Sequence, residues 1–277
     1  MRLSITEPDS LISESLKVNT MQVTVKDKHF TLILGPAGSG KTTLCKALGR
    51  WISKVQGIKV AYVNLDPGAE YLPYKPDIDV RNIVRLESVM KTYNLGPNGA
   101  LVKSMDLLKE NLEQLTKDIT SLEAEYVIID TPGQMELFLF RDIGPLLVRE
   151  LKRIGFVTSL MVADLTLSSK ASDIVSLKLL TLISQLRLGT DTIPVINKID
   201  EKKSEGNIRI YEDPLVLRSK IMKEKGVSSE ISEKILDILN EYNLASRIVK
   251  VSAIKETGLE ELYDIMHEVY CTCGDLT

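Results

Sequence analysis

The chain has 277 residues, 44% of them hydrophobic and 26% charged, with a formal net charge of −3. That is the balance of one large α/β domain, or of a core domain with insertions, and it argues against a disordered chain. No basic excess exists to neutralise a phosphate backbone, no run approaches the ~18 apolar residues of a membrane span, and residues 1–20 lack the apolar core of a secretory signal. Direct nucleic-acid binding and membrane insertion are therefore not expected, and a cytoplasmic location is.

In chain order, residues 1–20 are polar and mixed and read as an N-terminal extension, followed by a single domain over 21–270. Near-continuous apolar runs at 30–34, 58–63, 125–130, 156–162, 192–196 and 248–251 predict strands covered on both faces. Segments 41–54, 101–120, 171–187, 229–242 and 258–269 carry helical apolar spacing with few breakers. The mixed stretch 218–225 reads as a solvated helix face. Such alternation predicts an α/β fold, a mainly parallel sheet with helices on both faces, and helical insertions at about 84–120 and 204–243. Three cysteines make no disulfide framework. Cys271 and Cys273 read as free thiols in a tail over 271–277, since two thiolates do not complete a zinc site.

The motifs fall just after predicted strands, where ligands bind in open α/β sheets. GPAGSGKT at 35–42 matches the phosphate-loop pattern G-x-x-x-x-G-K-[ST] between a strand and a helix. Gly35, Gly38, Ser39 and Gly40 let successive N–H groups face an anion, and the following helix start adds partial positive charge. Lys41 is placed to reach the β and γ phosphates, Thr42 to ligate Mg²⁺, and Thr43 continues the cradle. DTPGQ at 130–134 closes another strand. Asp130 is the second candidate Mg²⁺ ligand, the Gly133 N–H a γ-phosphate donor, and Gln134 and Glu136 candidates to orient or polarise the attacking water. NKID at 197–200 follows a further strand. Asp200 offers two acceptors for guanine N1–H and its 2-amino group, the Lys198 stem can cover the base, and Asn197 can tie this loop to the phosphate loop. After the last strand, Ser252 and Ala253 form a loop of the kind whose backbone N–H meets guanine O6. The ligands expected are therefore GTP and GDP with Mg²⁺.

With these residues in hand the chain resembles the GPN-loop GTPases of the SIMIBI class of phosphate-loop proteins. The resemblance runs from about residue 29 to the C-terminus and is carried by GSGKTT at 38–43, NLDPGAE at 64–70, PDIDVR at 76–81, GPN at 96–98, DTPGQ and NKID. Gly-Pro-Asn alone carries little; its place between PDIDVR and DTPGQ carries the likeness. The resemblance implies a homodimer in which Gly96, Pro97 and Asn98 of one protomer reach the phosphates held by the other, Asn98 stabilising charge where other GTPases use an arginine. It also implies a catalytic role for Asp66, beside Gln134 and Glu136. Gly68 stands where Ala is common, Ala100 where many eukaryotic members have a second glycine, and their long charged tail is absent. The last departure favours an archaeal-type homodimer. The insertion helices of relatives form a groove for a protein client, in eukaryotic relatives one linked to RNA polymerase assembly.

Other function classes fit the sequence less well. A phosphate-loop kinase usually lacks N-K-x-D and needs lid arginines, which do not cluster here. A non-hydrolysing scaffold sits poorly with intact Lys41, Thr42, Asp130 and Gln134. A metal-delivery GTPase would carry His- or Cys-rich segments, and this chain has 2 histidines.

Overall fold

The computed structural model describes residues 28–164, 170–201, 213–224, 226–241 and 247–274, with side chains as far as 270. The expected extension at 1–20 and the thiols of Cys271 and Cys273 lie outside the described residues. The sheet is parallel throughout: β1 (Lys28–Leu34), β2 (Val60–Asn64), β3 (Ile78–Asp79), β4 (Tyr126–Asp130), β5 (Gly155–Asp164), β6 (Asp191–Asn197) and β7 (Val249–Lys250), in the order β3-β2-β4-β1-β5-β6-β7. Six of these lie where the apolar runs predict them. β3 does not, because two residues are too few to show a period.

The strands are interleaved with α1 (Lys41–Trp51), α2 (Leu86–Tyr93), α3 (Pro97–Glu110), α4 (Leu112–Ser121), α5 (Met135–Leu139), α6 (Ile143–Lys152), α7 (Ala171–Leu188), α8 (Pro214–Ile221), α9 (Val227–Glu241) and α10 (Leu259–Gly274). Side chains alternate along each strand into two cores. Phe30, Leu32, Leu34, Val127 and Ile129 pack with Met105, Leu147 and Ile174 on one face. Ile33, Ile128, Leu160 and Val195 pack with Leu44 and Leu48 of α1 and Leu262 and Met266 of α10 on the other. Each such Leu or Ile, fully buried, stabilises the fold by about 1.5–3 kcal/mol, and burial on both faces explains why the strands read as continuous apolar runs.

The helix expected over 101–120 is two. Asn111 lies between α3 and α4 with φ −99 and ψ 13, and its side-chain amide donates to the Leu107 carbonyl at 2.8 Å. A short polar side chain that captures a backbone group competes with the helix ladder. At its other end α3 begins at Pro97, a residue preset for the first helical turn, so the Gly-Pro-Asn segment is the start of a helix. α6, for which the sequence analysis offers no helix, carries Pro145 in its first turn, where proline is tolerated. α10 runs to Gly274, into the segment expected as a tail. Among the described residues no helix is long and apolar enough to cross a membrane.

β1 lies between β4 and β5. The chain goes from β1 to β2 on one side, returns through β4 and then crosses to β5 on the other. The reversal opens a crevice at the carboxyl ends of these strands. Ile33 is in register with Asp130, Asn64 with Asp130, and Asp164 with Asn197, so the loops after β1, β2, β4, β5 and β6 gather at one edge.

Candidate functional site

The phosphate loop spans β1 and α1. Pro36, Ala37 and Gly38 are exposed, while Ser39 and Lys41 are buried. Lys41 Nζ donates to the Pro36 carbonyl at 3.1 Å, curling the side chain over its own loop. Burial lowers the Lys41 pKa, and the charges of Asp130 and Asp66 oppose the shift. Ser39 Oγ is buried without a hydrogen-bond partner among the described residues. Thr42 and Thr43 are half-buried in the first turn of α1.

Gly40, the residue before α1, has φ 88 and ψ 23. A Cβ there would lie 2.4 Å from Asn197 Nδ2, and Asn197 Nδ2 donates to the Ser39 carbonyl at 3.1 Å. Close approach and left-handed backbone both demand glycine. Gly40→Ala is expected to cost about 1–2 kcal/mol from backbone strain alone, to lower the thermal midpoint by roughly 2–4 °C per kcal/mol, and to weaken GDP binding. Differential scanning fluorimetry with and without GDP checks both effects; an unchanged midpoint and an unchanged GDP shift would contradict the contact.

Asp130 ends β4 and is only 2% exposed. Burial raises its pKa, against the Thr42 hydroxyl, the Tyr74 phenol and Lys41, which favour the anion. Its Oδ2 accepts from Tyr74 at 3.1 Å, while Oδ1 is buried with no hydrogen-bond partner among the described residues. A buried carboxylate oxygen left open, beside a threonine hydroxyl, is the hard-oxygen donor pair that suits Mg²⁺. The Thr131 hydroxyl fixes this strand end by donating to the Ile33 carbonyl at 2.7 Å. Beneath Asp130 lies Cys45, whose thiol is pushed up by burial.

The loop after β2 presents Asp66. Fully buried Asn64 holds that loop: its Oδ1 accepts from the Asp66 amide at 3.1 Å, and its Nδ2 donates to the Asp66 carbonyl at 3.2 Å and to Asp79 Oδ1 at 2.9 Å. Arg81 grips Asp79 from its Nε and terminal nitrogen and donates to the Ala69 carbonyl at 2.8 Å. Burial alone would raise the Asp79 pKa; hydrogen bonds from Arg81 and Asn64 outweigh it and hold the carboxyl below its usual range. Asp66 itself accepts from the Gly68 amide at 2.9 Å and from the Gly133 amide at 3.2 Å. The Gly133 N–H, expected to face a γ phosphate, is thus held by a carboxylate, because the turns after β2 and β4 lie side by side. A cavity of about 580 Å³ adjoins this region, lined by Gly68, Glu70, Arg81, Arg85, Met90 and Pro97 among others. The phosphate loop is not among the residues that line it.

Gln134 Nε2 donates to Asn98 Oδ1 at 3.3 Å, so the Gly-Pro-Asn segment stands at the rim of its own chain's site. Gly96, Pro97, Asn98 and Glu136 are exposed.

The loops after β6 and β7 form the third wall. Asn197 receives the Ala253 amide on Oδ1 at 3.0 Å as well as binding Ser39. Of the backbone N–H groups in the loop expected to meet guanine O6, that of Ala253 is therefore occupied by a protein acceptor. Lys198 has φ 67; its ammonium pairs with Asp164 at 2.5 Å, which holds the stem near Gly40, where its Cε is 3.9 Å from a Cβ built on that glycine. Exposed Asp200 accepts from Ser252 Oγ at 2.5 Å on Oδ1, and Ser252 Oγ in turn accepts from the Lys255 amide at 3.0 Å. The carboxylate is aimed by a neighbour and keeps lone pairs for a ligand. Tyr74, absent from the sequence reading, carries no spacing signal that could have revealed it. Asn64, Asp79 and Arg81 were visible only as parts of family motifs.

A family model described as "Conserved hypothetical ATP binding protein" matches residues 33–272. The chain is 39% identical over 251 residues to GPN-loop GTPase PAB0955 of Pyrococcus abyssi, covering 89% of this chain and 99% of that one. It is 33% identical over 225 residues to GPN-loop GTPase 3 of Kluyveromyces lactis, covering 77% and 81%. The crystal structure of the Pyrococcus abyssi GTPase in its apo form superposes with a TM-score of 0.81 at 36% identity, over 90% of this chain and 100% of that one.

Proposed function

Because the chain belongs to the GPN-loop GTPase family and is a GTPase, we propose that it acts in the cytoplasm as a homodimeric switch. GTP holds one dimer conformation and hydrolysis releases it, changing affinity for a protein client. The observation that carries the dimeric reading is the placement of Asn98: exposed, at the mouth of the site, and held there by a single 3.3 Å hydrogen bond from Gln134. Exchanging such a bond for a partner's phosphate costs little, since exposed hydrogen bonds contribute only about 1 kcal/mol.

In this reading Thr42 and Asp130 hold Mg²⁺, which when bound neutralises charge on the β and γ phosphates. Lys41 leaves the Pro36 carbonyl for the phosphate oxygens. The γ phosphate takes over the Gly133 amide, freeing Asp66 to orient water together with Gln134 and Glu136. Asn98 of the partner supplies a neutral donor to the developing charge, a weaker stabiliser than a cation, as suits a switch. Client binding is supported by exposed apolar side chains on the insertion helices, among them Leu215 at 78%, Val227 at 70% and Ile231 at 52% exposure.

A second reading, action of Asn98 within its own chain, is favoured by the same bond to Gln134. Mixing Asn98→Ala protein with Lys41→Ala protein separates the two. Action in trans predicts recovery to about a quarter of parental GTP turnover at equal mixing, one competent site in each mixed dimer. No recovery despite demonstrated subunit exchange would support action in cis.

A further inference from the structure

We propose that Tyr74 is a positioning residue for the metal-binding carboxylate: its phenol fixes one oxygen of Asp130 so that the other is left aimed at Mg²⁺. The inference rests on the reading of Asp130 as a magnesium ligand. Tyr74 OH donates to Asp130 Oδ2 at 3.1 Å, and Oδ1 has no hydrogen-bond partner among the described residues. A carboxylate with one oxygen engaged and the other open cannot turn about its Cβ–Cγ bond without breaking the phenol contact. Ligand carboxylates and imidazoles are commonly aimed by such outer partners.

The phenol is itself held in place. Its ring stacks on Tyr62 of β2 with centroids 5.0 Å apart and planes at 24°. Tyr62 in turn fills the space over Gly49 of α1, where a Cβ would lie 2.4 Å from the Tyr62 hydroxyl and 2.7 Å from its ring. The loop carrying Tyr74 is clamped to β2 at both backbone groups of Tyr62: its amide donates to Asp77 Oδ2 at 2.8 Å and its carbonyl accepts from the Asp77 amide at 2.8 Å. A residue from the loop between β2 and β3 thus reaches the end of β4 through a supported ring, and that ring's only polar atom is spent on Asp130.

The test is the magnesium dependence of nucleotide retention, read as the release rate of a fluorescent GDP analogue against free Mg²⁺. Tyr74→Phe keeps the stack and removes the hydroxyl. It is expected to raise the Mg²⁺ midpoint by about 10- to 100-fold, while GTP turnover at saturating Mg²⁺ stays within about threefold of the parent. A merely structural role would lower turnover at all Mg²⁺ concentrations and leave the midpoint in place; that result overturns the proposal. Tyr62→Leu removes the ring beneath Tyr74 and leaves the hydroxyl, and is expected to shift the midpoint in the same direction. If Tyr74→Phe fails to fold, an unchanged midpoint in Tyr62→Leu overturns the proposal in its place. Asp130→Asn serves as the reference: if it leaves the midpoint unmoved, the underlying magnesium assignment is what has failed.

Discussion

Replacing Lys41 by alanine is expected to reduce GTP turnover at saturating nucleotide by about 10³-fold or more. The size follows from what surrounds the side chain. Lys41 is 6% exposed, close enough to Asp130 and Asp66 for both charges to act on it. Burial pulls its pKa down, and the charges of the two carboxylates oppose that shift. Removing it leaves two carboxylates facing the place where a triphosphate carries its own negative charge. On the proposed mechanism the variant loses the cation that would stabilise the transferring phosphoryl group and adds uncompensated repulsion in the ground state. Both turnover and nucleotide affinity should fall, and a phosphate-release assay paired with titration of a fluorescent GDP analogue reads them separately. Lys41→Arg would keep the charge but lengthen and fork the donor inside a closely packed loop, and should recover binding more than turnover. Turnover within tenfold of the parent in Lys41→Ala would remove the phosphate loop from the chemistry.

The gathering of the candidate loops was legible in the sequence because they follow strand ends. An apolar run, a glycine-rich turn and a helix start are local signals, and the parallel sheet places the loops after β1, β4, β6 and β7 at one edge without further instruction. What was not legible is how those loops touch. Gly133 lies within a recognisable DTPGQ turn, yet nothing in that turn says that its amide will meet Asp66, 67 residues earlier in the chain. The Ser252-Ala253 loop was read as offering a backbone donor to the base because its loop type suggests it; the bond from Ala253 to Asn197 depends on a contact across 56 residues. Tyr74 is the clearest case: a phenol in an irregular loop becomes a partner of Asp130 only through the docking of that loop on β2. The helices went astray for a local reason, the capture of a carbonyl by Asn111 and the tolerance of a first helical turn for proline. Register and strand order could be argued from periodicity; side-chain partners across the crevice could not.

Asp200→Asn is expected to exchange nucleotide preference. Guanine offers two donors on one edge, N1–H and the 2-amino group, and Asp200 offers acceptors only. Ser252 holds Oδ1 at 2.5 Å and so sets the plane of the carboxylate, while the Lys198–Asp164 pair and the Asn197–Ser39 bond fix the loop that carries it. An asparagine in that plane presents one acceptor and one donor. Its amide would meet the guanine 2-amino group donor to donor, so GTP affinity should fall by about 10²- to 10⁴-fold. Xanthine keeps N1–H and carries a carbonyl at position 2, so its triphosphate should bind the variant better than GTP does. Adenine has an acceptor at N1 and no 2-amino group, and the parent protein should turn over ATP far more slowly than GTP under the same Mg²⁺, despite the adenine nucleotide named by the family model. Competition of GTP, ATP and xanthosine triphosphate against a fluorescent GDP analogue, on parent and variant together, decides the matter. A reversal of GTP and xanthosine triphosphate places Asp200 on the base edge. Equal use of GTP and ATP by the parent would instead mean that the carboxylate faces solvent or the Ser252 loop alone, and that the base is gripped only by its faces.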